Sequence, residues 1–185
     1  MGTGLLATTF YLFVLIGGGQ ALDDEGSIGR GLELGAGAGI AMTERLDLEA
    51  GVERLGHDRP TPFLSWDGRL VRVMGRARYR FGARASRVVP FVAGGAGWMH
   101  SAGDLTERDT NPFSPTAGAI VDVRPWSMSG VAWEGGGGVE FWFGELFVRP
   151  EAYLTMGQLS RGRQVGVPEP AIIATRAVVV FGRRF

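Results

Sequence analysis

The sequence predicts an all-β protein, an eight-stranded antiparallel up-and-down transmembrane β-barrel, and three observations carry that expectation. The first is alternation. Leu46, Leu48, Ala50 and Val52 interleave with Asp47, Glu49 and Glu53, and Val71, Val73, Ala77 and Tyr79 interleave with Arg72, Arg76, Arg78 and Arg80. Side chains change face with every residue of a strand, so pairing these segments antiparallel sets carboxylates against guanidiniums on one face and an apolar band on the other. An apolar wall around a polar interior suits a small barrel in lipid, whereas a soluble barrel of the lipocalin kind inverts the pattern. The second observation is that connections between strands alternate strictly between short and long. The third is the glycine content, 31 of 185 residues. Glycine is depleted in ordinary strands, but in a narrow barrel it makes room for large neighbours and allows strong bending.

Taken in order, alternation and turn signals place strands at 28–42, 45–57, 69–81, 87–101, 127–143, 146–158 and 171–185. Short connections fall at 43–44, 82–86 and 144–145, and longer ones at 58–68, 102–126 and 159–170. Bacterial barrels have short periplasmic turns, long external loops and an even number of strands. An upward strand is therefore required before residue 28, and 9–22 is the segment that supplies it, with 23–27 as a polar first loop. The competing reading of this stretch is a secretory signal ending at Ala21. It has an apolar region, but residues 1–29 contain no basic residue, so the positively charged start is missing. The expected organisation is a short N-terminal extension at 1–8, a remnant of a signal segment, followed by one barrel domain at 9–185.

Following the parity of each strand, the inward charged set is Glu33, Asp47, Glu49, Glu53, Arg72, Arg76, Arg78, Arg80, Glu134, Glu140, Arg149, Glu151, Arg176 and Arg184. Seven acids meet seven bases. An eight-stranded barrel is only just wide enough to be filled by side chains, so this set predicts a salt-bridged plug instead of a water-filled pore. The outward set includes Leu32, Leu34, Leu48, Val52, Val73, Trp133, Phe141 and Leu154 and carries no charge. Tyr79, Phe81, Phe143 and Phe185 fall near turn ends, where an interfacial aromatic girdle belongs.

Composition excludes several classes of function. There is no Cys, hence no disulfide or thiolate metal site, and all nineteen basic residues are Arg. Net charge is zero with no basic block, so nucleic acid has no electrostatic footprint. The two histidines, His57 and His100, are expected as solvated residues at the outer ends of upward strands. Ser101 beside His100 suggests a nucleophile and base, but adjacent strand residues point to opposite faces. No ligand spacing supports a metal, and residues 135–138 lack the Lys, Ser or Thr of a phosphate-cradling loop. No cofactor is expected. The segment 102–126, with Asp104, Arg108, Phe113 and Trp126, reads as a long external loop available to a surface ligand.

Several segments resemble the bacterial outer-membrane β-barrel family of small eight-stranded OmpA-like and OmpX-like domains. The resemblance rests on residues 35–40 running through a tight turn into 46–52, on 89–97, and on 135–139 followed by 146–151. The terminal Phe185, with Phe181, Val179 and Ala177 keeping its parity, is similar to the C-terminal pattern that the barrel-assembly machinery reads in that family. Arg183 stands where the family has an aromatic or apolar residue. The resemblance implies a monomer in the bacterial outer membrane, in contact with its lipid, with a structural and anchoring role and external loops for surface interaction. A narrow solute channel is the alternative, and a lipid-modifying enzyme using His57 or His100 is a third reading.

Overall fold

The computed structural model describes residues 9–23, 26–60, 64–82, 86–160 and 171–185. Eight strands follow one another: β1 (Thr9–Asp23), β2 (Gly26–Ala41), β3 (Leu46–Pro60), β4 (Leu64–Arg80), β5 (Val88–Arg108), β6 (Ile120–Phe143), β7 (Leu146–Ser160) and β8 (Ala171–Arg184). Each pairs antiparallel with its neighbour in sequence, and β1 pairs with β8 to close the barrel. The segment from Thr9 is thus the strand that the even count demanded. The expected extension at 1–8 lies outside the described residues, as do parts of the first loop and of the connections around 61–63, 83–85 and 161–170.

Register follows the sequence pattern. Asp47 lies opposite Arg78, Glu49 opposite Arg76 and Glu53 opposite Arg72. Thr43 caps the tight turn between β2 and β3, its hydroxyl accepting from the Leu46 amide at 2.9 Å. Gly144, at φ +72°, adopts the left-handed backbone that the two-residue β6–β7 turn requires.

Many glycines serve the aromatic rings inside. Tyr11 lies opposite Gly39, which in turn lies opposite Glu49. The Tyr11 ring covers the place where a Gly39 side chain would stand, and its hydroxyl reaches over to donate to Glu49 Oε1 at 2.8 Å. Phe13 with Gly37, Tyr153 with Gly136 and Phe147 with Gly182 repeat the arrangement. Rings lie across the lumen because the facing strand leaves a gap. Gly39→Val is accordingly expected to destabilise the barrel by about 1–3 kcal/mol, the cost of overpacking. A lowered urea midpoint of the refolded protein in detergent would register it.

The longest correction concerns 102–126. A transmembrane β-strand needs only about 9–11 residues, but β5 has 21 and β6 has 24, so their outer halves project as a hairpin. Pairing continues from Ala102 opposite Ser127 to Arg108 opposite Ile120, with an irregularity at Glu107 and Arg108. Asp104 and Arg108 therefore lie on β5 and not in a loop, and the loop proper is 109–119. Beyond the lipid, neither face of a ribbon must be apolar, so alternation fades while hydrogen bonding persists. Loop 109–119 is itself ordered by Asp109, which accepts from the Asn111 amide at 2.9 Å and the Thr116 hydroxyl at 2.7 Å. Hydrogen bonding by Ser114, Thr116 and the Asn111 backbone holds the Asp109 carboxyl below its usual range. Phe113 stands at the tip, 93 % exposed.

Candidate functional site: a sealed interior and its outer rim

Thirteen of the fourteen charged residues expected inside lie within the barrel, none more than 6 % exposed. They form two ion-pair clusters. Nearer the short turns, Arg78, Arg80 and Arg149 meet Asp47, Glu49, Glu140 and Glu151. Arg78 Nη2 lies 2.5 Å from Asp47 Oδ2 and 3.2 Å from Glu49, and its Nη1 pairs with Glu140. Arg80 lies 2.7 Å from Asp47, and Arg149 reaches across the lumen to Glu49 at 2.7 Å while its Nε pairs with Glu151. Further up, Arg72, Arg76 and Arg176 meet Glu33, Glu53 and Glu134: Arg72 is 2.6 Å from Glu33, Arg176 is 2.8 Å from Glu33 and 3.0 Å from Glu53, and Arg76 pairs with Glu53 and Glu134. No ion pair joins the two groups among the described residues.

The expected balance of seven against seven changes. Arg184 is half-buried at the short-turn rim, where its guanidinium stacks 4.7 Å from the Trp142 ring and makes no ion pair with the interior set. The buried set therefore has seven carboxylates and six guanidiniums. The surplus carboxylate falls in the lower cluster, and that is where neutral donors gather. Tyr11 donates to Glu49, and Trp142 Nε1 donates to Glu140 Oε1 at 2.6 Å. A strand so near its end can no longer aim an inward residue into the lumen, which parity alone does not reveal.

An apolar layer closes the charged core towards the long loops, and a second apolar cluster lines one wall beside the lower ion pairs, Val178 standing directly opposite Glu151. Tyr11, Phe13, Leu15, Trp142, Phe147, Val178 and Val180 cluster towards the short turns. Leu55, Leu70, Met74, Met99, Met128, Leu159 and Ile172 pack towards the long loops. The aromatic rings also face cations: Arg149 lies over Phe13, Phe91 and Phe147, and Arg176 lies 4.3 Å from the Tyr153 centroid. Sequence reasoning missed these layers. Where inward and outward positions are both apolar, alternation gives no sign of which side is inside.

Three expected rim residues move. Trp126, expected in the external loop, is partly buried against the upper apolar layer, its ring 6.3 Å from that of His57. His57, expected in solvent, is only 3 % exposed because β3 continues to Pro60 beyond it and places it inside. His100 and Ser101 lie on opposite faces. Ser101 is buried, while half-buried His100 sets Nδ1 at 2.7 Å from Ser129 Oγ on the outer wall. Among the described residues no carboxylate hydrogen-bonds to His100, so the pair lacks the group that would orient an imidazole base. No cluster of three or more His, Cys, Asp or Glu suited to a metal occurs among them either.

The outer wall is aliphatic and aromatic. Phe10, Leu12, Val14, Ile16, Leu34, Val52, Val73, Trp98, Trp133 and Leu154 are all exposed on it. In water such a surface would aggregate, whereas in hydrocarbon it is the favourable face. Tyr79, Phe81, Phe143 and Phe185 are exposed around the short-turn end, and Phe181 stands on the outer face above Phe185.

A closed up-and-down barrel with a lipid-facing wall and an ion-paired interior defines a small membrane-spanning β-barrel protein. No protein-family model matches the chain, and no curated protein sequence does. Its fold is similar to that of Neisserial surface protein A, with a TM-score of 0.64 at 16 % identity over 92 % of this chain and 95 % of that one. It is also similar to Ail, the attachment invasion locus protein of Yersinia pestis, with a TM-score of 0.60 at 12 % identity over 96 % and 98 %. A major outer membrane protein from Thermus thermophilus gives 0.52 at 14 % identity over 97 % and 100 %. The eight-stranded outer-membrane barrel fold expected from the glycine-rich segments is the fold observed.

Proposed function

We propose that this chain is a non-enzymatic protein of the bacterial outer membrane that anchors in the bilayer and presents the β5–β6 hairpin for surface interaction. The observation that carries the reading is the filled lumen: two buried ion-pair clusters, packed among apolar side chains and closed towards the long loops by an apolar layer, leave side chains where a solute channel would need water. The outer half of β5 and β6, with Phe113 at its tip and Val121 and Val123 exposed, is the accessible surface best suited to a partner. Phe181 and Phe185, exposed on the closing strand, supply the C-terminal pattern expected of a substrate of the barrel-assembly machinery.

Single-channel recording of the refolded chain in planar bilayers tests the reading. The expected result is no steady conductance. Regular, reproducible open levels would replace the anchor with the narrow-channel alternative.

A further inference from the structure

The outer wall carries a charged feature that neither the interior nor the hairpin explains. Arg30, Arg54 and Arg69 occupy outward positions on three consecutive strands, β2, β3 and β4, and all are exposed. Arg54 is flanked across the sheet by Leu34 on one side and Val71 on the other, so it stands at the edge of the lipid-facing band. Arg69 lies one step outward, between Gly56 and Ala102, where no large side chain crowds it.

Neither Arg54 nor Arg69 forms an ion pair or side-chain hydrogen bond among the described residues, although Asp67 and Asp104 line the same concavity of about 410 Å³. Several other arginines are engaged. Arg45 donates to the Tyr79 hydroxyl, Arg183 lies 3.0 Å from Glu145, Arg124 pairs with Asp122, and Arg108 donates to the Gly118 carbonyl at 3.1 Å. On the other side of the barrel the wall near the long-loop end presents neutral polar groups, Ser129 and Ser160 in direct register on β6 and β7. Among the described residues of the wall near the long-loop end, the unengaged positive charge thus lies on the β2–β4 side.

We infer that the outer edge of the wall formed by β2, β3 and β4 binds the phosphorylated headgroup of an outer-leaflet lipid, with Arg54 and Arg69 as the groups that hold its phosphate. Guanidinium forks match phosphate oxygens bidentately, and a long arginine stem can lie along apolar surface while its head reaches the interface. A lipid is the fitting source of that phosphate because Leu34 and Val71 beside Arg54, and Val52 and Val73 below it, present aliphatic surface to the attached acyl chains. Asp67 and Asp104, opposite each other on the solvent side, face the part of the headgroup beyond the phosphate, where hydroxyl or ammonium groups can donate to them.

The test uses the refolded chain in phosphatidylcholine nanodiscs doped with lipid A, either carrying its phosphates or enzymatically dephosphorylated, with bound lipid measured by native mass spectrometry. The wild-type chain is expected to retain the phosphorylated form selectively. The double variant R54Q/R69Q should bind it about twenty-five-fold more weakly, given roughly one factor of five for each arginine at a lipid surface. R87Q, which alters an exposed arginine at the short-turn end, should bind like wild type. Boiling-sensitive mobility in gels establishes that each variant is folded. Should the double variant not fold, the two lipids on the wild-type chain decide the matter alone. Equal retention of both lipids, an equal loss in R87Q, or equally tight binding of inorganic phosphate would overturn the inference.

Discussion

Arg78→Met is expected to destabilise the barrel by about 3–5 kcal/mol, the cost of stripping one partner from a buried ion pair. Methionine approximates the volume of the arginine stem, so the effect isolates charge. Arg78 faces Asp47, Glu49 and Glu140 together and also donates to the Tyr11 hydroxyl at 3.0 Å. Its removal leaves four buried carboxylates to Arg80 and Arg149. Arg78→Lys keeps the charge but loses the planar fork that spans three acceptors, and an intermediate effect follows. The readout is the urea midpoint of the boiling-sensitive form in detergent. A midpoint unchanged by Arg78→Met would mean that the interior charges are hydrated independently, and the sealed-core reading would fall with it.

Deleting residues 9–23 is expected to abolish the compact, boiling-sensitive form altogether. β1 pairs with β2 along its whole length and with β8 from Tyr11 to Leu22. Without it two strand edges open into hydrocarbon, where every unpaired backbone group costs several kcal/mol. The deletion also takes Tyr11, Phe13 and Leu15 from the lower apolar layer and the Tyr11 hydroxyl from Glu49. A truncated chain that still folded compactly would require β2 and β8 to close on each other, and the eight-stranded architecture would not be the one that confers stability.

The candidate site was legible in proportion to how strongly lipid constrained each residue. At mid-membrane, a charge on the outer wall costs about 2–4 kcal/mol, so Asp47, Glu49, Arg76 and Arg78 could only face inward, and their parity told which side they took. Near the long loops that constraint lapses. Arg54 and Arg69 interrupt the outward series where water is close, and they drew no attention because alternation there carries no penalty. His57 and Trp126 were misplaced for the same reason: strands continue past the membrane, and their inward residues are buried by neighbours that no local pattern announces.

By itself the sequence determined the number of strands, their order, their antiparallel pairing and which face meets lipid. These follow from a period of two and from short connections, both local properties of the chain. Only the tertiary structure decided how the interior divides. Glu49 lies opposite Arg76 in the sheet, yet it bonds with Arg149 from the far wall, because closing the barrel brings β3 and β7 within side-chain reach. Pairing across a lumen depends on distances through space, and it was the closed barrel that turned one set of charges into two clusters, set Arg184 aside at the rim and closed the long-loop side with apolar side chains.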